Sequence, residues 1–308
     1  MQTFYRLAGS SVFADVDETG HTALHSAMRQ ETDVPVIRAL INSYPMALRM
    51  CTQYGDTPLH LACCRGVKAE VVAEVAQSSC ARATQLGFHV SPLLLPNKGS
   101  QSPFQLAMEE YRRTGFVCPN STDWGTAQER CFEILVSLVK ILYYGPNKSV
   151  GSLVYACVAL HRKGARLDPT FIYQVIKMHP EEVREAGEDR SYPLHVEAGI
   201  PIEKFVLLDG EPCSCQGNCH KRQSILKLLM DLYPEAAKKS SPIAVVKLMV
   251  QNGRLWDETF AFVVRTNPGA VLLVDDRKLV PHILGQVGRG CGIGTLYAMI
   301  RANPGFLR

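Results

Sequence analysis

The chain has 308 residues, 46% of them hydrophobic, so it is long enough and apolar enough to bury a sizeable core. Its 33 basic and 29 acidic residues give a net charge of +4, too small an excess to predict a nucleic-acid surface. No stretch approaches the roughly 18 uninterrupted apolar residues of a membrane span, and the first residues lack the apolar core of a signal peptide.

The cysteines indicate the compartment. There are eleven, an odd number, and several lie inside apolar runs, namely Cys63, Cys64, Cys131 and Cys157. Buried thiols in a reducing compartment explain this usage better than the disulfide framework of a secreted protein. We therefore expect an intracellular protein, cytoplasmic or nuclear.

In chain order, a recurring helix end divides the sequence. An apolar stretch followed by a polar or aromatic residue and then proline occurs at Pro45, Pro180, Pro234, Pro268 and Pro304. Proline cannot continue a helix, so each is a natural end. The interval from Pro234 to Pro268 is 34 residues, and the same interval predicts further helix ends at Ser79 and Pro146.

Each predicted helix is amphipathic. Apolar residues recur at helical spacing in four stretches: Ile37, Leu40, Ile41, Tyr44; Leu135, Leu138, Val139, Leu142; Trp256, Phe260, Val263, Val264; and Ile293, Leu296, Tyr297, Ile300. Asp168 and Pro169 supply an N-cap and a first-turn proline. One apolar stripe per helix requires neighbours stacked on one side, as in a helical solenoid.

Two stretches between these helices resemble the ankyrin repeat: DETGHTALHSA at 17–27 and YGDTPLHLAC at 54–63. Gly20 and Gly55 permit a tight turn, or finger. Thr57 is suited to cap the following helix, and Pro58 to occupy its first position. The small Ala62 and apolar Leu59 would pack inward. The resemblance implies that His25 and His60 hydrogen-bond the backbone near the turn.

The resemblance weakens along the chain. Partial matches are Ser102-Pro103, Tyr192-Pro193-Leu194-His195 and Ser241-Pro242, whereas 151–157 and 280–285 are helical without the signature. Tyr192 cannot cap as threonine does, and Glu197 replaces the inward alanine. We predict an all-α, ankyrin-like helical solenoid of about seven helix-turn-helix repeats, with a less regular helical solenoid as the alternative for the C-terminal half.

The predicted organisation is an N-terminal lead-in at 1–16 and a repeat solenoid at 17–305, with insertions near 84–98, 113–127 and 199–222. The helix pairs are predicted at about 17–47, 52–80, 97–147, 149–181, 187–235, 239–269 and 277–305. No polar capping unit follows the last helix end, so exposed apolar surface there would indicate a truncated chain or a C-terminal partner.

The third insertion contains a cysteine cluster at 211–222, with Cys213, Cys215, Cys219 and His220. Zinc usually takes four ligands from two separated knuckles, and this spacing supplies one knuckle whose adjacent Cys219 and His220 are hard to aim at one metal. We interpret the cluster as an exposed loop without metal. Zinc binding and a redox role for thiols beside Lys221 and Arg222 remain as alternatives.

No enzyme and no cofactor are predicted. The glycine-rich stretch at 285–294 lacks the spacing and the preceding strand of a phosphate-binding loop. No nucleophile–base motif occurs, and His25, His60 and His195 recur at one structural position, as a scaffold role predicts.

The predicted function is therefore that of a non-catalytic interaction scaffold, a monomer that binds another protein through its concave repeat surface. The resemblance places the contact residues at the finger tips, at Glu18, Thr19, His21, Gln53, Tyr54 and Asp56. Tyr54 is the best single anchor, because aromatic residues dominate interface energetics. The competing hypothesis is a metal- or redox-responsive regulator that works through residues 211–222. The sequence does not identify the partner or the process.

Overall fold

A computed structural model of the chain describes residues 15–30, 32–64, 67–88, 90–114, 126–146, 151–165, 167–200, 225–238, 245–252, 258–266 and 293–302. These residues form α-helices, short 3₁₀-helices and turns, and no β-strand occurs among them. The predicted all-α class is confirmed. The chain divides into two compact units, Met1–Gly151 and Ser152–Arg308.

Unit 1 contains three helix pairs in two layers. Its helices are α1 (Ala23–Ala27), α2 (Val34–Ser43), α3 (Pro58–Cys64), α4 (Ala69–Gln85), α5 (Pro103–Arg113) and α6 (Thr126–Tyr144). The first helix of each pair packs on the first helix of the next, which gives an inner layer of α1, α3 and α5. The second helices α2, α4 and α6 pack in the same way as an outer layer. This is the stacking that one apolar stripe per helix requires.

Unit 2 repeats the arrangement. Its helices are α7 (Leu153–Arg162), α8 (Pro169–Met178), α9 (Pro193–Ala198), α10 (Ile225–Leu232), α11 (Val245–Gln251), α12 (Glu258–Thr266) and α13 (Ile293–Ala302). Helices α7, α9 and α11 pack in one layer, and α8, α10 and α12 in the other. Six of the seven predicted pairs are therefore present, and of the seventh pair the described residues include α13.

The predicted caps at Ser102 and Asp168 are confirmed, and Thr22 forms a further cap; the cap by Thr57 stays a prediction. The Thr22 side chain accepts a hydrogen bond from the His25 amide, and Ser102 does the same for Gln105. Asp168 accepts from the amide of Thr170. Tyr192 makes no side-chain cap, as its bulk predicts.

The described residues of the first three predicted apolar stripes are buried, except that Leu40, Tyr44 and Leu142 are half-buried; Trp256 lies outside the described residues. Ile37, Leu135 and Val263 are each fully buried. In α13, by contrast, Ile293 is 85% exposed and Tyr297 is 66% exposed, so the prediction that both face a packed neighbour is wrong. Helical spacing predicts an amphipathic face, but it does not predict which element packs against that face.

The predicted helix end at Ser79 is also wrong. Ser79 is buried within α4, which has 17 residues where α2 has 10. The helix ends instead in front of Gly87, at φ +74°, where the Phe88 amide bonds the Ala83 carbonyl at 2.9 Å. This left-handed glycine cap is a frequent helix terminator. The insertion predicted near 84–98 thus follows extra turns of α4.

Short 3₁₀-helices return the chain from the outer helices towards the fingers. They are Pro45–Arg49, Pro92–Leu94, Pro180–Arg184 and Pro234–Lys238. Three of these begin at predicted helix ends, Pro45, Pro180 and Pro234. Each of these prolines lies two positions after the last residue of an outer helix.

Several predictions fall outside the described residues. They are the insertion at 199–222 with its cysteine cluster, most of the insertion at 113–127, the glycine-rich stretch up to 292 and the lead-in up to 14. The domain boundaries stay predictions. Within the part of the chain that is described, no helix has the length and apolar character needed to cross a membrane.

Candidate protein-binding surface

Four finger turns share one backbone pattern, at residues 17–21, 52–56, 97–101 and 187–191. In each turn the first amide donates to the fifth carbonyl, at 3.0, 2.9, 2.9 and 2.8 Å respectively. The fourth amide donates back to the first carbonyl, at 2.9, 2.9, 3.0 and 2.9 Å. The first three turns belong to unit 1 and the fourth to unit 2.

The fourth residue of every finger has a positive φ. It is Gly20 at +80° and Gly55 at +81°, but Ser100 at +61° and Arg190 at +62°. Glycine adopts this region without strain, whereas residues with a side chain rarely do. The two later fingers are absent from the sequence analysis because their signature glycine is replaced.

Side chains at the first position hold the fingers of unit 1 closed. The Asp17 carboxylate accepts from the Thr19 amide at 2.9 Å, the Thr19 hydroxyl at 2.7 Å and the His21 amide at 2.8 Å. These bonds, with that of the Thr19 hydroxyl the largest, lower the pKa of Asp17 to about 2. Thr52 and Asn97 accept from their own turns in the same way.

The fingers of unit 1 are bonded to one another along the stack. The Gln53 amide donates to the Thr19 carbonyl at 3.0 Å, and the Lys98 amide to the Tyr54 carbonyl at 3.1 Å. The Asn97 side chain adds a bond to the Asp56 carboxylate at 2.7 Å. Backbone and side-chain bonds therefore fix the spacing between the fingers, and the remaining side chains project from a fixed frame.

Below the fingers, His25 joins the first repeat to the second. It is the third residue of α1, and its Nε2 lies 3.1 Å from the Asp56 carbonyl of the next finger. The Thr22 amide donates to Nδ1 at 3.2 Å. Since a carbonyl oxygen accepts hydrogen bonds, Nε2 carries the proton and Nδ1 is the acceptor.

His60, the third residue of α3, repeats this geometry. Its Nε2 lies 3.1 Å from the Leu95 carbonyl, and the Thr57 amide donates to Nδ1 at 3.1 Å. The expectation that both histidines bond backbone is confirmed. Burial lowers the pKa of His25 and of His60, so both imidazoles are neutral near pH 7.

The six predicted contact residues occupy three kinds of position. Glu18, Gln53 and Tyr54 are exposed, and Tyr54 is 63% exposed; we call these three the finger surface. Thr19 and Asp56 are half-buried, and both accept hydrogen bonds from a neighbouring finger. His21 is buried, with an exposed fraction of 9%, and its ring meets that of His25 edge-on at 5.6 Å between centroids.

In α7 of unit 2 a tyrosine takes the place of the bridging histidine, whereas α9 has His195 at that position. Tyr155, the third residue of α7, donates its hydroxyl to the Asp189 carboxylate at 2.7 Å. Asp189 also accepts from the Ser191 amide at 2.9 Å and so closes the finger at 187–191. The hydrogen bond from Tyr155 favours the ionised carboxyl, and the pKa of Asp189 lies below its ordinary value although burial opposes this.

Of the described cysteines, four are buried and one, Cys51, is exposed. Cys63, Cys131 and Cys157 are buried, as predicted, and Cys64 is half-buried. Burial raises the pKa of the Cys63 and Cys157 thiols far above the ordinary value, so the reactive thiolate is suppressed. The thiols of the 211–222 cluster lie outside the described residues, and the competing metal or redox function stays a prediction.

One group of described side chains has donor atoms close enough for a metal. The His179, Glu181 and Glu182 ligand atoms lie within 4.8 Å of one another. One oxygen of Glu182, however, accepts from the Val154 amide at 3.1 Å and the Ser152 hydroxyl at 3.2 Å. This oxygen of Glu182 thereby serves the start of α7, and no metal site is proposed here.

The sequence model of one protein family matches the chain. It describes ankyrin repeats, in 3 copies, and it covers residues 2–82, which include the first two fingers, helices α1 to α3 and most of α4. The resemblance of 17–27 and 54–63 to this family is thus confirmed. No curated protein matches the sequence.

Proposed function

We propose that this ankyrin-repeat protein is a non-catalytic adaptor that binds a partner protein through the finger surface of unit 1. Residues 2–82 are ankyrin repeats, and such repeats generally serve as protein-interaction modules. We further propose that it acts as a monomer inside the cell. The observation that carries the proposal is the exposure of Tyr54 on a fixed finger.

Tyr54 has the properties of an interface anchor. Its ring is 63% exposed, yet its carbonyl accepts from Lys98 and its amide donates to the Thr52 hydroxyl at 3.2 Å. A large side chain on a backbone that is already ordered loses little entropy when a partner covers it. Tyrosine is also among the residues that contribute most to binding energy.

The buried histidines support a scaffold and not a catalyst. Both ring nitrogens of His25 and of His60 are engaged with backbone groups, as described above. An imidazole that holds two parts of the fold together cannot exchange a proton with a substrate without breaking those bonds. The hydrogen-bonding groups of both side chains therefore join neighbouring repeats.

The proposal is tested by affinity capture with the full chain and with the double variant Gln53→Ala, Tyr54→Ala. We expect the double variant to lose its main partners, with affinity reduced at least tenfold, as is typical when an anchor is truncated. The control is Glu70→Ala, Gln77→Ala, which truncates two exposed side chains of α4 that do not belong to the finger surface. A partner set that is unchanged in the first variant would disprove a role of the finger surface.

A further inference from the structure

A second exposed surface of unit 1 lies where the chain returns from the outer helices to the fingers. We call it the return-loop surface. It consists of five apolar side chains, each between 45% and 54% exposed, and one arginine: Met46, Arg49, Leu86, Phe88, Val90 and Leu94. Single exposed apolar residues are ordinary, but a group of five with one cation is a candidate interaction site.

Contacts and repeat geometry bring these residues together. The Arg49 guanidinium carbon lies 4.3 Å from the centroid of the Phe88 ring. Met46 and Arg49 are three residues apart on one 3₁₀-helix, so their side chains lie on the same side of it. Leu94 stands three residues before its finger, as Arg49 does, and therefore occupies the equivalent place one repeat further along.

Phe88 is held in its exposed position by the end of α4. Its amide bonds the Ala83 carbonyl at 2.9 Å, and the Gly87 amide bonds the Thr84 carbonyl at 3.1 Å. This pair of bonds is the one that closes a helix at a left-handed glycine. The aromatic ring is thus presented by a defined turn.

The chain segment that carries Leu86, Phe88, Val90 and Leu94 lacks acidic residues. Residues 75–108 contain no aspartate or glutamate, but they include Arg82 and Lys98. Within the described part of the chain, no carboxylate lies within ion-pair distance of Arg49, Arg82 or Lys98. Three other basic side chains of unit 1 are paired with acids, Arg38 with Glu74 at 2.6 Å, Lys68 with Asp33 at 2.8 Å and Arg113 with Glu110 at 2.6 Å.

We infer that the return-loop surface binds an acidic, apolar peptide segment of a partner protein. Apolar side chains of the segment would cover Phe88 and its neighbours, and its carboxylates would pair with Arg49. A guanidinium that stacks one face on an aromatic ring still directs its N–H groups outward at its edge, where a carboxylate accepts two of them. The inference goes beyond the proposed function, because none of these residues belongs to the finger surface.

Charge decides against two other occupants. A second copy of the chain would bring like charges together if it docked by the same face, which is unfavourable at an interface. An anionic membrane is typically bound by clusters of about 4 to 8 basic residues, and the return-loop surface as defined contains one, Arg49. A protein segment with few carboxylates and large apolar side chains matches a surface of five apolar residues and one arginine.

The test uses the full chain as bait for a displayed library of random 12-residue peptides. We expect the enriched peptides to combine aspartate or glutamate with aromatic or aliphatic residues. Synthetic copies, measured by fluorescence anisotropy, should bind at least tenfold more weakly to Arg49→Glu and to Phe88→Ser. Leu94→Ser serves as a second apolar variant outside the helix end, and circular dichroism verifies that each variant is folded.

Two controls make the result specific. Arg29→Glu reverses an exposed arginine elsewhere on unit 1 and should leave peptide binding unchanged. Tyr54→Ala should also leave peptide binding unchanged. A negative result for the return-loop surface is then distinguishable from a negative result for partner binding by the finger surface. The inference is overturned if no peptide is enriched, if the enriched peptides lack acids, if Arg49→Glu and Phe88→Ser bind them as wild type does, or if phosphatidylserine vesicles compete them off.

Discussion

Two inner helices, α3 of unit 1 and α7 of unit 2, solve one structural problem with different side chains. The third residue of α3 is His60, which bonds the Leu95 backbone carbonyl of the next repeat. The third residue of α7 is Tyr155, which bonds the Asp189 carboxylate of the next finger, whereas α9 of the same unit has His195 at that position. In both α3 and α7 this side chain reaches the neighbouring repeat and donates a hydrogen bond.

The tyrosine solution imposes its own condition on the sequence. A Cβ added at Gly187 would lie 2.2 Å from Cζ of Tyr155, so the ring occupies space that any other residue would need. The histidine of unit 1 is shorter and reaches backbone, which is present whatever the residue type. A backbone acceptor therefore tolerates sequence change in the next repeat, whereas the pair in unit 2 depends on two particular residues.

The largest expected effect comes from removing the bridge of unit 1. His60→Ala should destabilise the fold by about 3 kcal/mol, because it leaves a cavity at a fully buried position and the Leu95 carbonyl loses its donor. Tyr155→Phe should cost about 1 kcal/mol, since it removes one bond to an exposed carboxylate and keeps the ring. Urea unfolding measures the totals, and hydrogen exchange assigns each loss to its unit. Equal losses in the two variants would contradict the comparison.

A smaller effect should follow acidification. The pKa values of His25 and His60 are lowered by burial in the fold, so the unfolded chain takes up protons first as the pH falls. The stability they contribute is complete above about pH 6.5, the ordinary value for histidine, and is lost as the pH falls from there through their lowered values. Protonation also places a hydrogen on Nδ1 opposite the amides of Thr22 and Thr57.

The measurement is the urea midpoint of wild type at pH 7.5 and at pH 5.5. The control is the double variant His25→Gln, His60→Gln, which keeps a cap acceptor, as Gln105 does in α5, but does not titrate. We expect the midpoint of the control to change less between the two pH values. The same change in both proteins would exclude these histidines as the source.

The smallest effect concerns the fingers that lack glycine. Ser100→Gly and Arg190→Gly should each stabilise the protein by about 0.5 to 1 kcal/mol, because both residues have a positive φ that costs more with a side chain than with glycine. The reverse change, Gly20→Ser, should destabilise by about 1 kcal/mol. Thermal unfolding measures all three, and a loss of stability in both glycine variants would contradict the assignment of one shared finger geometry.

The sequence predicts the inner helices of unit 1 and their caps in detail. Each helix start lies within four consecutive residues. These are a threonine or serine, a proline in α3 and α5, an apolar residue, and a hydrogen-bonding side chain at the third helical position. Their hydrogen bonds are local, as Thr22 with His25 and Ser102 with Gln105 show. Local patterns of this kind can be read without knowing the neighbours.

Features that depend on distant neighbours are missed by the sequence analysis. The length of α4 beyond Ser79 is such a feature, since α4 packs against the long α6. So is the pairing of Tyr155 with Asp189, which are 34 positions apart. No short motif contains either relation, because each joins two repeats.

The candidate site shows the same division. The sequence by itself determined the ankyrin-type repeat, the finger glycines and the residues at the finger tips, since turn chemistry is encoded in adjacent positions. The tertiary structure decided which of those residues are accessible, turning His21 inward and Tyr54 outward. It also gathered Met46, Arg49 and Phe88 into one exposed surface, because burial and proximity are set by the stacking of repeats and not by any one repeat alone.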